Sequence, residues 1–304
     1  MIAQLGRVRT RAALAAELSR DHTALPFALV DLFGNDLDAH AELIGAPGDQ
    51  VVGFLTRGDG AQFAERIRIA LAELGLGPAA VERHAALSAW FEHLRAFVKL
   101  EWHRTPDGLE PRAACYFRRR PPVATALARL AELGVDRRAL TRADELADAL
   151  DKATIHFVST GFRPGHPPQH KLYFSQLADA TGRAAAMVRL ERVFDLFGVT
   201  GSAHERWREL HDASTGIGDQ TVLVSISVAG GAAATSFKID YPGVPAVRAA
   251  EWRPRPERAE CVREIEQLCH RAGARTLSYL GVRFTPGEPA PALKYYTAVP
   301  VDPP

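Results

Sequence analysis

One pattern recurs about five times along this chain: two stretches with helical periodicity are followed by two stretches that alternate like strands. The second strand carries a similar signature in four units, which read RAACYFR at Arg112–Arg118, HKLYFS at His170–Ser175, SFKIDY at Ser236–Tyr241 and ALKYYT at Ala292–Thr297. Self-similarity at a fixed period constrains an architecture more than any single residue does. The repeat predicts that the recurring Lys and Tyr positions share one face of one sheet.

Strands arranged in hairpins, with helices always between hairpins, predict an α+β fold in which a ten-stranded antiparallel sheet closes into a barrel. Closure removes the unpaired edges that an open sheet presents. The helices would then form an outer ring. Because no linker or low-complexity stretch interrupts the series, residues 1–304 are interpreted as a single domain. The alternative is an open sheet whose polar face simply meets water.

The third unit shows the clearest boundaries. Thr141, with Asp144 three residues further on, predicts the start of a helix over Ala143–Asp151. Thr154–Phe162 and Gln169–Gln176 then alternate as strands, and the turn-rich segment RPGHPP between them predicts a hairpin.

Bulk composition excludes several function classes. The formal net charge of +1 leaves no broad basic surface for nucleic acid or an anionic membrane. The 3 cysteines form neither a metal-ligand spacing nor a disulfide framework, which is typical of a reducing compartment. The chain begins without a signal-peptide pattern and contains no apolar run of membrane-spanning length. We expect a cytoplasmic monomer with no nucleic-acid partner, no membrane partner and no metal site.

Nearly every predicted strand has one apolar face, which includes Cys115 and should pack on the helices, and one polar and aromatic face, which should line the barrel. The predicted lumen positions are Asp38, His40, Glu42, Lys99, Glu101, His103, Arg112, Tyr116, Arg118, His156, Thr160, Lys171, Tyr173, Ser175, Ser225, Ser227, Ser236, Lys238, Asp240, Tyr279, Arg283, Lys294 and Tyr296. A barrel of about ten strands is wide enough to hold a ligand. Burying so many cations and phenols costs free energy unless an anion binds among them.

Lys171, Lys238 and Lys294 occupy equivalent positions in three different repeats, and two of them are followed by a tyrosine, Tyr173 or Tyr296. Several ammonium groups converging on one level suit a diphosphate, to which phenol hydroxyls donate further hydrogen bonds. The faces of aromatic rings stabilise an adjacent cation. This combination is what ionisation of an allylic diphosphate requires.

The chain resembles the soluble aromatic prenyltransferases of the ABBA fold, or PT barrel, over its whole length. The local matches are HKLYFSQL (His170–Leu177), FKIDYPG (Phe237–Gly243) and SYLGVRFTPGEPAPALKYYTAV (Ser278–Val299), and the segment DLDAHAEL (Asp36–Leu43) looks most like the cyanobactin-type peptide prenyltransferases. The resemblance implies transfer of a dimethylallyl or geranyl group from its diphosphate to Trp or Tyr of a ribosomal peptide, with Mg²⁺ as a variable companion of the donor. The alternative acceptors are free tryptophan and a small aromatic or phenolic metabolite.

The resemblance also implies roles for individual residues. Asp38 would be the general base, with Glu42 and Glu101 as the other candidates. The implied diphosphate-binding residues are Lys99, Arg112, Tyr116, Arg118, Lys171, Tyr173, Lys238, Asp240, Arg283, Lys294 and Tyr296. The implied prenyl and acceptor pocket comprises Phe54, His103, His156, Ser225, Ser227, Tyr279 and Gly281. The chain departs from the family pattern where Asp240 replaces a tyrosine, Ala114 a cation and Val52 a basic residue.

Structural, non-catalytic roles stay open for the same residues. Asp38 can be a strand-edge carboxylate bonded to a lysine, and Glu42 or Glu101 can form an ion pair with Lys99 or Arg112. A non-catalytic barrel that binds an anionic amphiphile is the rival function. A hydrolase is disfavoured because no nucleophile elbow or triad spacing is present. The small residues Ser225, Ser227 and Gly281 would leave room for a C10 chain.

Overall fold

The computed structural model of the chain describes residues 40–46, 49–58, 60–92, 96–105, 108–177, 183–215, 221–229 and 234–298. Asp38 and the helices predicted for the first unit lie outside these residues. The side chains of Glu42 and Phe54 are likewise outside the described part, although their backbone positions are within it.

The described strands and helices follow the predicted order. The strands are β1 His40–Ala46, β2 Asp49–Gly58, β3 Ala96–Thr105, β4 Gly108–Phe117, β5 Phe157–Phe162, β6 Gln169–Leu177, β7 Thr221–Ala229, β8 Phe237–Pro242, β9 Tyr279–Phe284 and β10 Ala292–Ala298. The helices are α1 Gly60–Glu73, α2 Pro78–Trp90, α3 Val123–Glu132, α4 Arg137–Ala149, α5 Arg183–Phe197, α6 Ser202–Thr215, α7 Ala246–Ala250 and α8 Arg258–Ala272, with a 3₁₀ turn at Arg255–Glu257. Two helices therefore precede each described hairpin after the first.

Every strand pairs antiparallel with two neighbours, and sequential strands are adjacent throughout. The last strand, β10, pairs with the first, β1, where Ile44 lies opposite Tyr296, so the ladder returns to its starting strand and forms a closed barrel. The antiparallel sheet with helices packed outside it, predicted from the repeat, is confirmed. Antiparallel hairpins need only short turns, and this leaves the longer connections for the helices.

The outer face of the sheet and the inner faces of the helices form the core. Leu100, Cys115, Leu172, Val224 and Val282, from five different strands, are completely buried. A buried aliphatic side chain contributes roughly 1.5–3 kcal/mol relative to an exposed one. Cys115 therefore belongs to the hydrophobic core, as its alternation predicted, and burial raises the pKa of its thiol.

Helix α4 begins at Arg137, six residues before the predicted first residue, Ala143. The Asp136 side chain accepts hydrogen bonds from the backbone N–H groups of Arg138 at 2.8 Å and Ala139 at 3.3 Å. An aspartate N-cap satisfies backbone donors that a helix start leaves unpaired. Thr141 sits inside the helix and donates to the Arg137 carbonyl at 3.0 Å. The prediction that Thr141 caps this helix was wrong, because Asp136 is the N-cap residue.

The predicted phase of strand β5 was also wrong. Thr160 is completely buried on the outer face, where its hydroxyl and His170 Nδ1 lie 2.8 Å apart. The register instead pairs Ser159 with Tyr116 and Lys171, and Phe157 with Tyr173, so Phe157 and Ser159 are the lumen positions. His156 precedes the strand, which begins at Phe157 rather than at Thr154. A one-residue change of phase moves every side chain to the opposite face.

Each helix in the described part of the chain is too short or too polar to cross a lipid bilayer.

Candidate functional site

Three lysines from different strands meet around the ring of Tyr296 on β10. The Nζ atoms of Lys99, Lys238 and Lys294 lie 4.4, 5.3 and 5.4 Å from the ring centroid. Lys99 belongs to β3 and Lys238 to β8, so these contacts cross the barrel interior. The face of a phenol ring attracts cations. Tyr296 therefore holds together ammonium groups that would otherwise repel one another.

Lys238 is paired with a buried carboxylate. Its Nζ lies 2.7 Å from Asp240 Oδ1 and donates to the Tyr296 hydroxyl at 3.4 Å. Burial alone would lower the pKa of Lys238, but Asp240, followed by the oxygens of Tyr296 and Tyr173, raises the pKa above its ordinary value. Asp240 thus acts as a counter-ion that keeps Lys238 charged. Its position does not favour the predicted direct contact with diphosphate, because two anions repel.

Gly281 provides the space that this ion pair occupies. A Cβ at Gly281 would lie 3.0 Å from Asp240 Oδ1, 3.3 Å from Tyr296 Cε2 and 3.4 Å from Lys238 Cδ. Separations of this kind are tighter than ordinary packing contacts. In this conformation Gly281 makes room for side chains of the site. Its predicted role in making room for a prenyl chain stays a prediction.

Glu101 on β3 is the second internal counter-ion. Its carboxylate lies 3.0 Å from Lys99 Nζ and 3.8 Å from Lys294 Nζ, and it accepts a hydrogen bond from His103 Nε2 at 2.8 Å. Burial would raise the pKa of Glu101, but Lys99 foremost, then Lys294 and His103, hold the pKa well below its ordinary value. A carboxylate stabilised in this way is a weak proton acceptor. The geometry favours the ion-pair interpretation of Glu101 over a general-base role.

Lys171 on β6 differs from the other lumen lysines in its surroundings. In register it lies between Ser159 and Ser227, neither of which carries charge. Burial, followed by the charges of Lys238, Lys294 and Arg283, lowers the pKa of Lys171 to about 7, with Glu101 acting in the opposite direction. An added anion would therefore favour the charged form of Lys171.

An aromatic wall adjoins the lysines. It is defined by Phe97, Tyr116, Phe157 and Tyr173, from four consecutive strands. Phe97 stacks on Tyr116 with centroids 4.5 Å apart and meets the Phe157 edge at 5.3 Å, and Tyr173 lies 6.0 Å from Tyr116. Burial, with smaller effects from neighbouring groups, raises the pKa of Tyr173 well above its usual value, so the ring stays a neutral phenol. Such a wall excludes water and offers π faces to a carbocation.

Phe97 and Phe157 were missed by the sequence analysis. Phe97 has the same parity in β3 as Lys99 and Glu101, so the alternation rule could have found it. Phe157 and Ser159 were not predicted because the incorrect phase of β5 placed them on the outer face. The missing signal was the start of that strand, since the preceding residues ATIH alternate in the phase of Thr154, His156 and Thr160, which is not the phase of the strand.

Four other predicted residues, Ser225, Ser227, Tyr279 and Arg283, occupy lumen positions in the register. Ser225 pairs in register with Tyr173 and Lys238, and Ser227 with Lys171. Tyr279 lies opposite Tyr296 and is 37% exposed, so it contributes less to an enclosed wall than predicted. Arg283 lies opposite Lys238 and its side chain is exposed.

The predicted arginines of β4 separate from the lysine cluster. Arg112 binds Glu110, with Nε 2.6 Å from Oε1, and the same carboxylate pairs with Arg163 at 2.8 Å. Arg118 follows β4, is exposed, and holds its guanidinium 5.5 Å from the Phe157 ring centroid. Arg112 lies opposite Glu101 in the register, but its side chain binds Glu110, and Arg118 lies beyond the end of β4.

Residues of the first hairpin are placed by backbone register. Phe54 pairs with Leu100 in the register, and its predicted pocket role stays a prediction. The lumen positions of β2 are Gly53 and Leu55, opposite Glu101 and Lys99. Glu42 pairs with Gly53 and shares the lumen face. The catalytic prediction for Asp38 falls outside the described residues.

Comparison with known proteins identifies the fold. No family model and no curated protein matches the chain in sequence. Among solved structures, 6-dimethylallyltryptophan synthase from Micromonospora olivasterospora, in complex with DMASPP and Trp, aligns with a TM-score of 0.66 at 13% identity over 98% of both chains. The prenyltransferase PriB, in a ternary complex with L-tryptophan and dimethylallyl thiolodiphosphate, aligns at 0.57 and 16% identity over 98% of this chain and 94% of that one. AnaPT from Neosartorya fischeri aligns at 0.61 and 13% identity over 98% and 94%.

These structural neighbours are ABBA-fold aromatic prenyltransferases. At such low identity the likeness shows the fold, and it extends over nearly the whole chain. The chain has the ABBA-type arrangement of helices and antiparallel strands that these enzymes share.

Proposed function

We propose that this chain is an aromatic prenyltransferase that moves a dimethylallyl group from its diphosphate to an electron-rich aromatic acceptor. The observation that carries the proposal is the group of lysines gathered around Tyr296 beside the wall of Phe97, Tyr116, Phe157 and Tyr173. Cations for the leaving group and aromatic faces for the allylic fragment are the two requirements of the reaction, and both occur in one lumen.

In the proposed reaction the C1–O bond of the donor breaks, and the diphosphate keeps the electron pair. Lys238, held charged by Asp240, and Lys294 and Lys99 compensate the negative charge that develops on the diphosphate. Lys171 adds a further positive charge as the anion approaches. These groups are fixed before the reaction, so little reorganisation is needed when the bond breaks.

The acceptor ring then attacks the allylic cation, a carbon–carbon bond forms, and the acceptor loses one proton. Glu42 and Asp38 are the proposed proton acceptors, because Glu101 is held ionised by three partners. Glu42 lies on the lumen face, separated from Glu101 only by Gly53 in the register.

An indole is the proposed acceptor, since the structural neighbours are prenyltransferases crystallised with tryptophan or brevianamide F. The acceptor predicted from the sequence, Trp or Tyr of a ribosomal peptide, stays a prediction, as do the geranyl donor, the Mg²⁺ requirement, the monomeric state and the cytoplasmic location. The barrel that merely binds an anionic amphiphile is the rival tested below.

The test is incubation of the purified chain with dimethylallyl or geranyl diphosphate, with and without Mg²⁺, and a panel of tryptophan, a cyclic Trp dipeptide and Trp- or Tyr-containing peptides. Mass spectrometry should detect one added dimethylallyl group on an indole, and the Glu42→Gln or Asp38→Asn variant should lose transfer while keeping donor binding. Tight diphosphate binding with no prenylated product from any acceptor would support the non-catalytic rival.

A further inference from the structure

A pocket of about 440 Å³ lies on the outside of the barrel, between helix α4, the end of helix α5 and the turn that joins β9 to β10. We call it the outer pocket, and its lining includes Arg138, Thr141, Arg142, Glu145, Phe197 and Pro286. It is separated from the lumen because Phe197 packs on Phe237, a buried residue of the outer face of β8, with ring centroids 5.0 Å apart. Sites for small molecules have volumes of about 300–1,000 Å³. The outer pocket is therefore large enough to hold one.

The amphipathic pattern of α4 explains why polar groups line this pocket. The four lining residues of the helix are spaced by three or four positions, so they share one face: Arg138, Thr141, Arg142 and Glu145. The opposite face carries Ala143 and Ala147, which are buried against the rest of the core. The sequence of α4 thus places two arginines beside the outer pocket.

Arg142 is held in position at the edge of the pocket. Its Nη1 donates to the Leu196 carbonyl at 3.1 Å and lies 3.0 Å from Glu145 Oε2. The guanidinium carbon lies 5.6 Å from the centroid of the Phe197 ring. Among its contacts with described residues, both polar ones use Nη1, so Nε and Nη2 can donate to a ligand. A side chain that is already fixed loses little further freedom when a ligand binds.

Arg138 contributes a second guanidinium group. Of the carboxylates that the structure describes, none lies within ion-pair distance of it. The nearby Asp136 is the N-cap residue and accepts from the backbone N–H groups of α4 instead. Two guanidinium groups and the one carboxylate of Glu145 give the lining a net charge of one positive unit. This charge matches a monoanion better than a diphosphate, which carries several negative charges.

The remainder of the lining is largely apolar. Phe197 and Ala234 are almost completely buried, and Pro286 lines the pocket from the turn between β9 and β10. An apolar wall with a few convergent polar groups is the usual composition of a ligand site. Guanidinium groups recognise planar carboxylates, and the wall favours an apolar group beside the carboxylate.

We propose that the outer pocket binds a small carboxylate with an apolar body, through the guanidinium groups of Arg138 and Arg142. The occupant would contact α4 of the third unit, α5 of the fourth and the β9–β10 turn of the fifth, and so would link three units of the repeat. The proposal goes beyond the proposed function, because no step of prenyl transfer uses this pocket. A free acid and the C-terminal residue of a peptide share this chemistry, and the experiment separates the two sources.

The experiment measures binding of 4-phenylbutyrate and of its uncharged amide by calorimetry, with dimethylallyl thiolodiphosphate present to occupy the lumen lysines. The wild-type chain should bind the acid with a dissociation constant on the order of 1 mM or below, and the amide roughly tenfold more weakly. Arg138→Gln should weaken binding of the acid roughly tenfold, because one charge-assisted hydrogen bond is lost. The matched control is Arg137→Gln, an adjacent exposed arginine outside the pocket lining, which should change the affinity by less than about twofold.

A second pair of variants tests the position of the ligand without removing a charge. Thr141 is an exposed residue of α4, so its replacement leaves the core intact. Thr141→Phe places a large side chain in the pocket and should abolish binding of 4-phenylbutyrate. Thr141→Ala loses the same hydroxyl but leaves the pocket open, and it should bind the acid as the wild-type chain does.

Acid binding that survives Thr141→Phe, equal losses in the Arg137 and Arg138 variants, equal affinity for acid and amide, or no binding to the wild-type chain would overturn the proposal. Tripeptides ending in phenylalanine, with a free or an amidated C-terminus, distinguish the sources. Binding of the free-ended peptide as tightly as 4-phenylbutyrate supports a peptide, and weaker binding supports a free acid. Prenyl transfer without binding at the outer pocket refutes only this inference, whereas binding there without prenyl transfer refutes only the proposed function.

Discussion

Replacement of Lys171 by Met should stabilise the chain, and the gain should depend on pH. Burial and the charges of Lys238, Lys294 and Arg283 lower the pKa of Lys171 from its ordinary value of 10.5 to about 7. Because the folded pKa lies below the unfolded one, the unfolded chain binds more protons between these two values. Stability of the wild-type chain therefore rises with pH in that window.

The whole shift corresponds to a cost on the order of 5 kcal/mol for holding Lys171 charged in the folded chain below pH 7. Between pH 7.5 and pH 9 the wild-type chain should recover about 2 kcal/mol of that cost. The Met variant has no group to titrate at this position. Its advantage in unfolding free energy should thus be about 2 kcal/mol larger at pH 7.5 than at pH 9.

Urea unfolding at the two pH values measures this difference, and all other ionisable groups cancel between the two proteins. A donor anion should reverse the effect, because a diphosphate beside Lys171 favours the ammonium form. Affinity for dimethylallyl thiolodiphosphate should consequently fall roughly tenfold more in the wild-type chain than in the variant over the same pH interval. Parallel pH dependences for the two proteins, in both unfolding and donor affinity, would refute the assignment of Lys171 as the titrating lumen lysine.

Three further predictions follow from the packing of the site. Glu101→Gln should lower the free energy of unfolding by roughly 3–5 kcal/mol, because Lys99 loses its buried counter-ion. The same change should tighten binding of the donor analogue, because it removes a negative charge from the lumen. Weaker donor binding would contradict the counter-ion role. Gly281→Ala should lower the free energy of unfolding by about 1–3 kcal/mol and weaken donor binding, since the new Cβ would lie 3.0 Å from Asp240 Oδ1. The control is Gly161→Ala, whose Cβ would meet the Gln169 carbonyl at an ordinary 3.7 Å. Equal effects of the two changes on donor affinity would contradict the reasoning. Thr160→Val should cost about 1–3 kcal/mol by leaving His170 without its buried partner, with donor affinity unchanged; altered donor affinity would mean that Thr160 reaches the lumen after all.

The fold was predictable because the same order of two helices and two strands recurs along the sequence. An error in one unit is corrected by the others, so the order of helices and hairpins emerged although individual boundaries were off by several residues. The start of α4 shows the limit: Thr141 and Asp144 have the spacing of a capping box, but the Asp136 side chain is the one that accepts from the backbone N–H groups. Sequence spacing alone does not decide between two competing caps.

The site was predictable to the extent that alternation fixes which face a residue occupies. Lys99, Lys171, Lys238, Lys294 and Tyr296 were all assigned to the lumen by parity, and the register agrees. Parity says nothing of partners, so the pairing of Lys238 with Asp240 and of Lys99 with Glu101 needed three-dimensional geometry. Where the phase itself was misassigned, at β5, the assignment of Thr160 to the lumen failed.

The pairing of β1 with β10 has a consequence for biosynthesis. Lys294 and Tyr296 belong to the last strand, and they meet Lys99 and Glu101 only when that strand joins the first one. Contacts between such distant parts of a sequence form slowly, after the local hairpins. A ribosome-bound chain would therefore be unable to assemble its cation cluster until the hairpin of β9 and β10 emerges.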